Sequence, residues 1–223
     1  MKNNMIENTK KQPKKSKSII REYTEAIVIA LLLALVIRTF VIQAFKIPSG
    51  SMKNTLLIGD HILVSKFSYG IHIPNEIPFI GIKLFPDIRL FPKTPMRGDI
   101  IVFKFPRDES RDFIKRVIGL PGDKVMIARQ KVYINDKLYD GPFVRHTDPP
   151  GDEPYEPRDD FGPTFVPEGH LFMLGDNREN SQDSRYWGFL DTDKVKGKAI
   201  LIYWSWNSEA SWVRTNRFGK LLR

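Results

Sequence analysis

Asp99-Ile100-Ile101-Val102-Phe103-Lys104-Phe105, followed closely by Asp112-Phe113-Ile114-Lys115-Arg116-Val117-Ile118-Gly119, decides the fold. Both runs are short and rich in β-branched and aromatic residues. Turn signals bound them, Arg97-Gly98-Asp99 at the start and Pro121-Gly122-Asp123 at the end. Similar runs recur at residues 62–64, 124–127, 131–134, 170–174 and 198–203, with a further turn at Asn135-Asp136. Sixteen prolines and fifteen glycines spread along 223 residues favour strands and turns over long helices. The reading is a mostly β domain of antiparallel sheets.

In the second run, strand alternation puts Lys115 on one face with Phe113 and Val117, whereas a register slip would turn Arg116 inward instead. Desolvation can bring an apolar-facing lysine down by several units from its usual pKa of about 10.4, making it a base near neutral pH. A lysine held that way costs about 1.4 kcal/mol per unit, a cost tolerated mainly at a working site.

The net charge of +9 does not describe a nucleic-acid-binding face. Lys2, Lys10, Lys11, Lys14, Lys15, Lys17 and Arg21 stand in the first 21 residues against Glu7 alone, so most of the excess is a tail. The tail precedes twelve uninterrupted apolar residues, Ala26 to Ile37, then Arg38 and Thr39-Phe40-Val41-Ile42-Gln43-Ala44-Phe45. Counted to Phe45, with Arg38 snorkelling, this reaches the roughly 20 residues a membrane span needs. A cleavable leader is the rival, but Ile42-Gln43-Ala44 is a poor small-x-small site. The expected organisation is therefore a basic cytoplasmic tail (1–21), a single transmembrane anchor (22–45) and an extracytoplasmic β-rich domain (46–223). Residues 129–167 form a variable surface excursion in that domain, and residues 212–223 a basic tail whose default is solvation.

Three places could carry chemistry. Ser49-Gly50-Ser51 sits in a turn just beyond the anchor, where Gly50 allows a sharp bend and free amide N–H groups, although such turns are common. Lys115 is the candidate base. The polar stretch Gly175 to Arg185 suits a loop held by its own hydrogen bonds, with Asp183 and Arg185 as a structural ion pair. It fails as a calcium loop, since Arg178 takes the third position, Ser181 replaces the required glycine and Trp187 stands where a bidentate Glu belongs. The chain has no cysteine, and its four histidines are not at metal-ligand spacing. A Ser-His-Asp triad assembled in three dimensions stays open at this level, although nothing points to it.

These segments, in this order behind an N-terminal anchor, resemble the bacterial type I signal peptidases. The stretches that carry the resemblance are Ile47-Pro48-Ser49-Gly50-Ser51-Met52 with Thr55-Leu56-Leu57-Ile58-Gly59-Asp60, and Arg97-Gly98-Asp99-Ile100-Ile101-Val102-Phe103. They continue with Ile114-Lys115-Arg116-Val117-Ile118-Gly119-Leu120-Pro121-Gly122-Asp123 and Gly175-Asp176-Asn177-Arg178 through Asn180-Ser181 and Asp183-Ser184-Arg185. The resemblance implies a serine endopeptidase that removes signal peptides from exported preproteins at the cytoplasmic membrane. Ser51 would be the nucleophile and Lys115 the neutral general base. The oxyanion would be held by the Ser51 N–H and the Ser49 hydroxyl, and Ser181 would hydrogen-bond and orient the lysine. Asp183, Arg185 and Arg116 would give structural support. Phe45, Ile47, Ile62, Val102, Phe113 and Ile114 would line shallow pockets for small residues at −1 and −3. The expected partners are signal peptides and membrane lipid; no metal, organic cofactor, nucleic acid or oligomer is implied. Asn54 departs from the family, many of whose members have proline there, and one anchor is present where some have two. The rival readings are another Ser/Lys protease, of repressor or pilin-processing type, and a non-enzymatic anchored β-domain.

Overall fold

The computed structural model describes residues 19–73, 88–139, 141–146 and 157–222. The expected basic tail falls almost wholly outside these residues. The chain divides into two units at Ile37/Arg38.

In the first unit, helix α1 (Ile19–Val36) is 18 residues long and buries none of its side chains. Among the described residues no helix is long and apolar enough to cross a membrane. Within the expected segment 22–45 the helix does not run on to Phe45. The helix widens into a π-helical turn at Ile37–Val41, and Ile42–Lys46 is already a strand. Alternation within Ile42-Gln43-Ala44-Phe45 lets the backbone pair with a neighbouring strand, and that pairing ends the helix.

The second unit is built from fifteen strands in chain order among the described residues. They are β1 (Ile42–Lys46), β2 (Asp60–Ser65), β3 (Ile71–Ile73), β4 (Ile88–Leu90), β5 (Ile100–Phe105), β6 (Asp108–Gly119), β7 (Lys124–Ala128) and β8 (Lys131–Ile134). There follow β9 (Lys137–Leu138), β10 (Phe161–Phe165), β11 (His170–Leu174), β12 (Leu190–Asp191), β13 (Val195–Asn207), β14 (Trp212–Val213) and β15 (Lys220–Leu221). The main sheet runs β1-β2-β13-β5-β6-β11-β12, with β14 and β15 also on β13; β10-β7-β8-β9 form a second sheet and β3-β4 a ribbon. All strand pairs are antiparallel, as the alternating runs led us to expect.

Two expectations about chain segments change. Residues 212–222 of the expected 212–223 tail are not a solvated terminus, because β14 and β15 pair with β13, Leu222 is buried and Arg217 forms a buried ion pair with Asp60. The excursion contains structure of its own, since β8, β9 and β10 lie within 129–167.

Three apolar clusters make the core among the described residues, and β6 contributes to all three, the third through Ile118. Ile114 packs with Ile47, Met52, Leu56, Ile62 and Val102, whereas Val117 packs with Ile101, Phe103, Leu171 and Met173. From Ile114 to Gly119 every residue of β6 is buried. Lys115 and Arg116 therefore both leave solvent, on opposite faces, and the choice between them posed by the register does not arise.

Candidate active site

The Ser49-Gly50-Ser51 turn lies in the loop between β1 and β2. Its base is closed by Ile47 N–H donating to the Asp60 carbonyl (2.8 Å) and Gly59 N–H to the Ile47 carbonyl (3.0 Å). Below it, Asp60 accepts from Leu57 N–H, Ser205 Oγ and the Arg217 guanidinium. Met52 and Leu56 anchor the turn in the core, with Leu56 N–H donating to the Met52 carbonyl (2.7 Å). Asn54 adopts φ 90°, a value closed to proline, whose ring fixes φ near −65°.

Lys115 Nζ donates to Ser51 Oγ at 2.8 Å and to the Ile114 carbonyl at 3.0 Å. Lys115 is only 3% exposed and Ser51 8%. Burial brings the lysine down to a pKa of about 8, with Asp183 and Asp176 pulling the other way. The Phe113 ring lies 5.1 Å from Nζ, as shared-face alternation anticipated. Both residues open onto a cleft of about 500 Å³, lined also by Ser49, Phe113, Ile114, Asn180 and Gln182.

The loop after β11 closes the back of the site. Asn177 donates twice to the Ser49-Gly50-Ser51 turn, N–H to the Ser51 carbonyl and Nδ2 to the Gly50 carbonyl, both at 3.1 Å. Asp176 receives Arg116 Nε (2.8 Å) and Nη2 (2.7 Å). Asp183 receives Arg185 Nε (2.8 Å) and Gly175 N–H (3.1 Å), while Arg185 reaches on to the Arg158 carbonyl. The expected Asp183–Arg185 pair is present, and Arg116 is revealed as the partner of Asp176. A Cβ on Gly175 would lie 2.2 Å from Ser181 Oγ and 2.6 Å from the Ser51 carbonyl, so only glycine permits this contact of loop and turn.

Other expected contacts are not made. Ser181 Oγ is buried without a hydrogen-bond partner, so the bond from Lys115 is absent; the amine is turned to Ser51 and the Ile114 carbonyl instead. Of the six residues expected to line substrate pockets, only Phe113 and Ile114 border the cleft. Ile47, Ile62 and Val102 are core residues behind Ile114, and Phe45 packs against the same cluster. Sequence reasoning missed Asp60, Asp176 and Asn177 as individual residues. All three stood in quoted motifs, but their roles depend on contacts with residues 60 or more positions away.

A model of the family described as "Signal peptidase, peptidase S26" matches residues 20–204. The signal peptidase I of Pseudomonas fluorescens is 36% identical over 235 residues, covering 91% of this chain and 77% of its own length. The probable signal peptidase I-2 of Synechocystis is 37% identical over 204 residues, covering 89% and 79%. A crystal structure of a signal peptidase I from Enterococcus faecalis aligns with 48% of this chain and 97% of its own at 37% identity, with a TM-score of 0.41. The protein is a hydrolase of the serine endopeptidase class. It belongs to the signal peptidase family, peptidase S26.

Proposed function

We propose that this chain removes signal peptides from preproteins as a membrane-anchored Ser/Lys-dyad peptidase. The observation that carries the reading is Lys115 Nζ at 2.8 Å from Ser51 Oγ, with both residues buried. Once deprotonated, the amine accepts the Ser51 hydroxyl proton as Oγ attacks the scissile carbonyl. The proton passes to the leaving amine as the C–N bond breaks, leaving an acyl-enzyme. Lys115 then takes a proton from the water that hydrolyses the ester, and Ser51 is restored.

Ser49, on the same cleft, is the side-chain donor to the oxyanion beside the Ser51 N–H. A neutral lysine that accepts from Ser51 has two N–H groups, one of which reaches the Ile114 carbonyl. Ser181 Oγ, buried and unpaired, is the acceptor assigned to the other. Phe113 and Ile114 restrict −1 and −3 to small residues, with Ile47, Ile62 and Val102 stiffening the wall from behind. Phe45 completes the apolar edge of that wall.

A lipid-facing location is supported by two exposed apolar surfaces. Ile27, Leu31 and Leu32 of α1 are well exposed, next to a basic N-terminal tail that would remain cytoplasmic. On the catalytic unit Trp204, Trp206 and Trp212 are exposed, Phe218 stacks on Trp204 at 5.1 Å, and Lys220 lies close by on β15. Aromatic and cationic side chains together suit a membrane interface. The catalytic unit would then stand on the outer side of the cytoplasmic membrane.

The test compares detergent-solubilised wild type with Ser51→Ala on a preprotein bearing an Ala-x-Ala site. A single cut made by wild type and lost in a folded Ser51→Ala protein is expected. Equal cutting by both would remove Ser51 as nucleophile.

A further inference from the structure

Residues 141–146, Gly-Pro-Phe-Val-Arg-His, run along the side of the catalytic loop away from the cleft, and none of them lines that cleft. Arg145 N–H donates to the Asp176 carbonyl (2.8 Å) and Arg178 N–H to the Arg145 carbonyl (3.1 Å), which makes a short parallel bridge beside Asn177. Two residues earlier, the Phe143 ring lies flat against Arg116, 3.9 Å from the guanidinium carbon to the ring centroid. Tyr139 packs beside Phe143 at 6.4 Å and carries Arg97 on its own ring at 5.7 Å. Gly141 is what lets the phenyl ring fold back, because a Cβ there would meet that ring at 2.4 Å.

The contacts form one chain of support. Phe143 covers Arg116, Arg116 holds Asp176 by two hydrogen bonds, and the adjacent Asn177 holds the main chain of Gly50 and Ser51. We propose that Phe143 is a positioning residue for the peptidase reaction: its ring, seated on Arg116, keeps the Asp176–Asn177 loop where Asn177 can fix the nucleophile's backbone. A ring over a desolvated guanidinium attracts the cation and keeps water from its carboxylate partner. Without it, the pair gains a hydrated alternative and the loop gains a second position. Misplacing a nucleophile by about an ångström is enough to cost on the order of a hundredfold in rate. Phe113 and Ile114, the cleft residues assigned to the −1 and −3 side chains, belong to β6 and not to the loop, which borders the cleft at Asn180 and Gln182, so the loss is expected mainly in kcat.

The role of Phe143 rests on the Ser51/Lys115 reading, and the test separates the two. In the full-length detergent-solubilised chain, kcat and KM are measured for Phe143→Ala, Gly141→Ala and Phe143→Tyr, with Ser51→Ala alongside and a melting curve for each. The assay is run well below every melting temperature. Phe143→Ala and Gly141→Ala are expected to lower kcat about tenfold with KM within about twofold, an effect carried by positioning alone. Phe143→Tyr, which keeps a ring on the guanidinium, is expected to retain wild-type kcat. Wild-type kcat in Phe143→Ala, an equal loss in Phe143→Tyr, or a change confined to KM would each overturn the role. So would a loss that matches the fraction of unfolded protein. Cleavage surviving in Ser51→Ala would instead remove the dyad reading; a dead Ser51→Ala beside an unaffected Phe143→Ala removes only the role given to Phe143.

Discussion

Arg116 and Asp176, neighbours in space but 60 residues apart in the chain, are joined by two hydrogen bonds of 2.8 and 2.7 Å with each side chain only 1% exposed. Arg116 also donates to the Gly98 carbonyl at 2.7 Å, so the ion pair ties three segments together behind the nucleophile turn. Removing one member of such a pair leaves the other buried without its counter-charge. Arg116→Met is expected to destabilise the protein by about 3–5 kcal/mol, read as a lowered unfolding midpoint in urea. A midpoint equal to wild type would mean that water reaches the carboxylate despite its burial.

The depressed pKa of Lys115 sets a pH dependence for cleavage. As the proposed base it works only when deprotonated, so kcat/KM should rise with pH, pass through its half-maximal value near pH 8 and level off above it. Steady-state rates between pH 6 and 10 provide the check. A profile flat across this range would exclude Lys115 as the titrating base.

The same burial acts on stability with the opposite implication for function. Lys115 falls from 10.5 to about 8 on folding, so the unfolded chain binds more protons between these values and stability rises with pH across that window. Below pH 8 the penalty is fully present, about 3 kcal/mol, and above pH 10.5 it has vanished. Lys115→Met should therefore be inactive yet more stable at pH 7 by up to about that amount, the gain fading toward pH 10.5. Lys115→Arg should also be inactive, because its charge persists at every accessible pH. Denaturant titrations at pH 7 and 10 measure the first effect, and an active Lys115→Arg protein would rule out lysine as the base.

Ser181 allows a test of orientation apart from folding. Its hydroxyl is buried with no partner, so Ser181→Ala loses no hydrogen bond and should leave stability unchanged or raise it by about 1 kcal/mol. If that hydroxyl orients the neutral amine during reaction, kcat should fall on the order of tenfold or more. Undiminished kcat would limit Ser181 to packing against Gly175.

The strand runs around Phe103 and Ile114 were readable because short β-branched and aromatic runs bounded by glycine- or proline-bearing turns are local properties of the chain. The pairing of β13 with both β2 and β5 was not, since it joins segments more than 90 residues apart that local pattern cannot match. The end of the helix before Ile42 was lost for a related reason. An apolar run reads alike as helix or strand, and the decision came from β2 offering its edge.

The sequence by itself determined the kinds of chemistry available: a serine in a glycine turn, a lysine on an apolar strand face, a polar loop with an acid and an arginine, and no thiol. Tertiary structure alone decided that the lysine amine meets the serine hydroxyl, that Arg116 is buried beside it rather than in its place, and that Asp176 and Asn177 secure the turn. Residue identity fixes what a group can donate, accept or ionise. Burial and distance, which exist only once remote strands have paired, fix whether it does so at a useful pKa and toward a useful partner.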